Sequence, residues 1–341
     1  MLSYIYELTS ILPKIVKMNC IICDNTADEV GSHLIPASLI KNCVGKHYSE
    51  ESYNIDGKTS KIDVFYGRDN LKNESTKIKQ NHYKRDNILC KICEKKLAEL
   101  ESKFASEFLQ KFRNDKYLSN FNSKLSSSKL EILEPKKISN LEIQAYFYSI
   151  ILRFCCTYKV EENDSYIEES DLLKIKKFIY NFLYYNFIVG DYGIGDYGIG
   201  DFKIAIIFNK YSTNSSFISN LDNIKNPYTF YFCESIIVLY IGEIQNESEP
   251  LFVDCLNSII DESSKMIVGP ALMYEKFTSL KAYILAQNFI TNGINHLSEL
   301  NKKSFEENEI EVKKLIEKYE KDDKALYIVK IFEDLKKKYS S

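Results

Sequence analysis

Tryptophan is missing from all 341 residues, while lysine, asparagine, isoleucine and tyrosine are used heavily. That bias points to an AT-rich genome and says nothing about mechanism. No uninterrupted apolar stretch is long enough to cross a membrane. The nearest, Ile143 to Tyr158, is broken by Gln144 and Arg153. No signal-peptide pattern precedes the cysteines, and their odd count of nine argues against a disulfide framework. Together these absences predict a cytoplasmic chain with no membrane contact. A strong charge of one sign is also lacking, since the formal net charge is −3. It is unevenly spread: residues 1–137 carry 23 Lys and Arg against 18 Asp and Glu, and the rest carry 22 against 30. The modestly positive first part is therefore the better candidate for a polyanionic partner.

What the chain does have is two cysteine pairs, Cys20-Ile-Ile-Cys23 and Cys90-Lys-Ile-Cys93. Each pair can offer two ligands from one tight turn, so the four thiolates can close a tetrahedral structural zinc site. A redox CxxC is expected singly and beside a βαβ pattern, and no βαβ unit surrounds the first pair. Cys43, Cys155, Cys156, Cys233 and Cys255 lie mostly in apolar runs and read as ordinary buried thiols.

With 45% apolar and 27% charged residues, the chain has the composition of a globular protein of two ordinary domains. Residues 1–17 read as an appended helix ending at Pro13, and residues 18–115 as the zinc-binding unit. Within that unit Cys20 to Asn25 reads as a knuckle, Val30 to Ile35 as a strand presenting His33, and Pro36 onward as a short helix through Lys41. Gly45 to Arg85 is a polar insertion with one strand-like piece at Ile62 to Tyr66. From Cys93, the recurrence of Leu97, Leu100, Phe104, Phe108 and Phe112 predicts a helix. Asn114 to Ser139 reads as loop and linker. Residues 140–341 read as an α+β domain: apolar helices over Leu141–Tyr158 and Asp171–Phe187, a small antiparallel sheet of Lys203–Asn209, Thr229–Cys233 and Ser235–Ile241, then helix from Leu272 to Tyr339. The tandem Gly190 to Asp201 repeat matches a dinucleotide fingerprint only formally, because a strand follows where the phosphate-binding helix should begin.

Between the cysteine pairs stand Ser32-His33-Leu34-Ile35-Pro36 and, directly before the second pair, Asn87-Ile88-Leu89. In this order the residues from 19 to about 112 resemble the zinc-braced HNH endonuclease family, of ββα-metal or treble-clef type. The resemblance implies an α+β fold with an N-terminal ββα unit and metal-dependent cleavage of nucleic-acid phosphodiester bonds, DNA by preference. It implies His33 as the general base and Asn87 as the residue holding its loop. Glu94 falls where the family places a metal-binding Asn or His, making it the candidate ligand for Mg²⁺ or Mn²⁺. Two positions depart from the family pattern: Ser32 stands where many members have Asp, and Glu94 where they have Asn or His. His47, His82 and Asp86 remain open as further ligands.

Chains of this kind resemble bacterial or phage-defence effectors, in which an added domain binds a partner or senses a signal. Residues 140–341 would be that half. The alternative expectation is a non-catalytic zinc module that binds nucleic acid or protein. Oligomeric state is left open.

Overall fold

A computed structural model describes residues 19–39, 52–56, 61–65, 84–125, 130–162, 166–185, 202–209, 218–225, 227–232, 234–241, 250–257, 264–268, 271–319 and 327–340. The expected helix at 1–17, the Gly190–Asp201 repeat, His47 and His82 lie outside these residues.

The chain is α+β. Strand β1 (Ser32–His33) pairs antiparallel with β4 (Lys84–Arg85). Between them β2 (Ser52–Asp56) and β3 (Lys61–Phe65) form a separate hairpin. Helix α1 (Lys91–Phe104) follows and runs on through one π turn, Ala105–Leu109, where the Gln110 N–H reaches the Ala105 carbonyl at 3.0 Å. Its apolar positions Leu97, Leu100, Phe104, Phe108 and Phe112 are all buried, as the periodicity predicts.

The segment read as a linker is instead structural. It contains β5 (Phe121–Leu125) and β6 (Glu131–Pro135), which pair antiparallel and extend the large sheet. The sequence signal is weak because β5 buries only Phe121 and otherwise alternates nothing, its remaining four side chains being exposed.

Seven strands make up that sheet. Strands β7 (Lys203–Phe208), β9 (Tyr228–Phe232) and β10 (Ser235–Tyr240) are the expected antiparallel neighbours. The sheet continues beyond them through β8 (Ile218–Lys225) on one side and β11 (Ser264–Ile267) on the other, giving the order β5-β6-β11-β7-β10-β9-β8. β11 lies parallel to β7, the others antiparallel.

Side chains alternate across the pleat, so one strand feeds two cores. From β7, Ile204, Ile206 and Phe208 join a core built on α1, α2 (Asn140–Glu162) and α3 (Glu169–Tyr185). Ala205 and Ile207 join another under α4 (Pro250–Asn257) and the first part of α5 (Ala271–Asn301), through Phe252, Cys255, Met273 and Phe277. The strands are thus apolar on both faces, the pattern of a sheet covered on both sides. A third, smaller core joins the far part of α5 to α6 (Phe305–Tyr319) and α7 (Tyr327–Ser340).

The first core also takes in Cys20, Ile22, Leu34, Ile35, Cys90 and Cys93, so it is continuous from the cysteine knuckle to the sheet. Helix α2 begins with a capping box: the Ser139 hydroxyl accepts from the Glu142 N–H, and Glu142 accepts from the Ser139 N–H at 2.9 Å. No described helix is long and apolar enough to cross a membrane.

Candidate metal centre and the histidine strand

Local geometry brings the four cysteines together. In the first pair, the Asp24 N–H closes a turn onto the Cys20 carbonyl at 3.0 Å, with Asp24 itself left-handed at φ 60°. The turn is anchored to the chain before the second pair by the Ile21 N–H on Ile88 O at 3.0 Å, and by the Glu29 N–H on Leu89 O at 3.1 Å. In the second pair, Cys90 is the N-cap of α1, its sulfur accepting from the Cys93 N–H at 3.5 Å. Free N–H groups and the positive end of the helix dipole favour negative charge there, which suits a thiolate.

The sulfurs of Cys20, Cys23, Cys90 and Cys93 all lie within 4.8 Å of one another and could hold a metal ion. Zinc–sulfur bonds of about 2.3 Å place tetrahedral sulfurs about 3.8 Å apart, so the cluster has the right size. The sulfurs of Cys23 and Cys90 approach to 3.5 Å. The surroundings of Cys20, Cys90 and Cys93 favour the thiolate to different degrees. A hydrogen bond from Cys93 holds Cys20 down at about 4, against the opposing effect of burial. Cys93 is pushed up by its bond to Cys20 and by burial, and Cys90 by burial. A cation held among these sulfurs would stabilise their thiolate forms.

His33 sits half-buried on β1, directly opposite Lys84 on β4. Directly opposed residues share a face, so the strand pair offers a basic residue beside the imidazole. The strand is shorter than Val30–Ile35. Gly31 at φ +75° forms the bend before it, its N–H donating to Asp86 Oδ1 at 2.7 Å. Asn87 is exposed and left-handed at φ 59°, and it ties its loop through the backbone, its N–H on Glu29 O at 2.8 Å.

Glu94 lies in the first turn of α1, partly buried, with Ser32, Arg153, Glu101 and Glu29 as electrostatic neighbours. Burial pushes its carboxyl up and Arg153 opposes the shift. Its Oε2 and the fully buried Ser32 hydroxyl form no full hydrogen bond. The residue that organises this region is Arg153 on α2, only 1% exposed. It donates to the His33 carbonyl at 2.6 Å, to Glu101 at 2.8 Å, and to Ser149 O at 3.1 Å. A buried guanidinium so completely engaged satisfies the rule that interior charge must be paired. The bond to His33 spans 120 residues and leaves no local signal.

Comparison with protein-family models, with curated proteins and with solved structures found no match for this chain.

Proposed function

We propose that the knuckle, β1, β4 and α1 form a zinc-braced ββα module that hydrolyses nucleic-acid phosphodiester bonds, with His33 as general base. The observation that carries this reading is spatial order: the histidine strand pairs with a basic strand that leads, within six residues, into a helix whose first turn joins the sulfur cluster. A neutral imidazole suits removal of a proton from attacking water near pH 7. Lys84 on the same face supplies positive charge toward a phosphate. Arg153, bonded to the His33 carbonyl, fixes the strand that carries the base. DNA is the preferred substrate by resemblance alone, and residues 140–341 would recognise a partner or signal.

When bound, Mg²⁺ or Mn²⁺ would neutralise charge on the phosphate and leaving oxygen. Among the described residues, however, the sulfur cluster is the one group of three or more His, Cys, Asp or Glu that could hold a metal. Burial also favours the neutral acid of Glu94, a poorer cation ligand. Among the described residues the donor set for a catalytic cation is thus not assembled. The same two observations favour a second reading, a non-catalytic zinc module that binds nucleic acid or protein.

The test is cleavage of plasmid, single-stranded DNA and RNA by purified protein, with Mg²⁺ or Mn²⁺ added, and with metal content measured. Cleavage lost in His33→Ala at unchanged zinc content supports the nuclease. Binding without cleavage by the wild type, unaltered by His33→Ala, supports the binding module.

A further inference from the structure

The sulfur cluster is not completed by its own segment. Tyr184, near the end of α3, places its hydroxyl 3.2 Å from Cys93 Sγ, across 91 residues of sequence. Two further contacts hold α3 against the cluster. Lys96 of α1 donates to the Leu183 carbonyl at 2.8 Å and lies 5.0 Å from the centre of the Tyr184 ring. Lys176, two turns earlier on α3, pairs with Asp24 of the knuckle at 2.5 Å. Tyr180 stacks on Tyr184 with ring centroids 4.9 Å apart, restricting the ring that carries the hydroxyl.

A metal-bound thiolate carries no proton and can only accept a hydrogen bond. The Tyr184 O–H must then be the donor, in the position where outer groups tune how tightly ligands hold a metal. We propose that Tyr184 is a positioning residue of the zinc centre, donating to the Cys93 thiolate, so that helix α3 of the C-terminal half and the zinc ion hold each other in place. The inference rests on the zinc centre of the preceding section and is independent of nucleic-acid cleavage. Its consequence is reciprocal: loss of zinc loosens α3, and loss of the α3 contact loosens zinc.

Tyr184→Phe removes one oxygen and keeps the ring packing. Full-length protein loaded with one zinc per chain is challenged with a chromogenic chelator and the transfer rate recorded. Tyr231→Phe serves as control, because it deletes a buried tyrosine hydroxyl bonded elsewhere, to Phe277 O at 2.7 Å. Tyr184→Phe is expected to release zinc at least about tenfold faster than wild type, with the control unchanged. Equal rates for all three proteins would overturn the assignment. A second measurement needs no variant: limited proteolysis of wild type before and after zinc extraction. New cleavage within Glu169–Tyr185 in the extracted protein is expected, and unchanged protection of that helix would overturn the coupling. A wild-type chain that binds no zinc would overturn it outright, whereas absence of nuclease activity would leave these two results unaffected.

Discussion

The Arg153 guanidinium donates to the backbone carbonyl of His33 at 2.6 Å, joining the centre of helix α2 to the strand that carries the candidate base. The same group holds Glu101, whose side chain is 19% exposed. Arg153→Met should therefore destabilise the protein by about 3–5 kcal/mol, because it strands a largely buried carboxylate as well as an unpaired carbonyl. Urea unfolding of the zinc-loaded protein measures this. Arg153→Met combined with Glu101→Gln should recover part of the loss, and a purely additive double mutant would show that the pair is not coupled.

Cys20→Ser should abolish stoichiometric metal binding and lower stability by at least about 3 kcal/mol, since the metal's binding energy is available only to the folded cluster. Cys156→Ser, outside the cluster, should keep its metal. Elemental analysis beside thermal melts separates the two.

A helix-interior glycine normally gains about 1 kcal/mol on replacement by alanine. At Gly293 on α5 the sign should reverse, because a Cβ there would overlap the ring of Phe332 on α7. Gly293→Ala should cost about 1–3 kcal/mol, the range for overpacking. Adding Phe332→Leu should restore much of it. Calorimetry of the three variants decides, and a raised Tm for the single mutant would contradict the packing described.

At Glu311, partial burial acts to raise the carboxyl, but hydrogen bonds from Lys338, Tyr339 and Lys303 outweigh it and hold the group down at about 2. A lowered carboxylate stabilises the fold fully above its ordinary range near 4.5. That contribution disappears as pH falls from there through about 2. Both lysine ends are exposed, so screening leaves roughly 1 kcal/mol. Wild type should melt above Glu311→Gln at pH 7, and the two melting curves should converge on acidification. A gap that persists at pH 2 would count against the assignment.

The cysteine spacing, the helix after Cys93 and the central strands were legible in the sequence because each rests on local periodicity or on ligands a few residues apart. Strand β5 was not, since a sheet edge with four exposed residues carries no alternation. Strand β11 was short, and its place beside β7 depends on a partner some sixty residues away, as its register with Ile204–Ile207 shows. The same limit hid the outer parts of the site. Tyr184 and Arg153 act through contacts at 91 and 120 residues of separation, and nothing adjacent to either residue marks its target.

The single π turn at Ala105–Leu109 has a mechanical meaning. Phe104, Phe108 and Phe112 recur every four residues, which on a regular α-helix would walk gradually around the axis. The wider turn absorbs that drift. Phe108 and Phe112 stay face to face, with centroids 4.6 Å apart, and both reach Phe208 in the sheet. One inserted residue thus acts as a phase adjuster between two ends of a single rod. Its near end is indexed by sulfur and its far end by Arg113, which grips the buried Glu234 and the Asn209 carbonyl. Deleting one residue there would leave every remaining side chain chemically intact and turn the far end by roughly 100°, so that only one end could engage at a time.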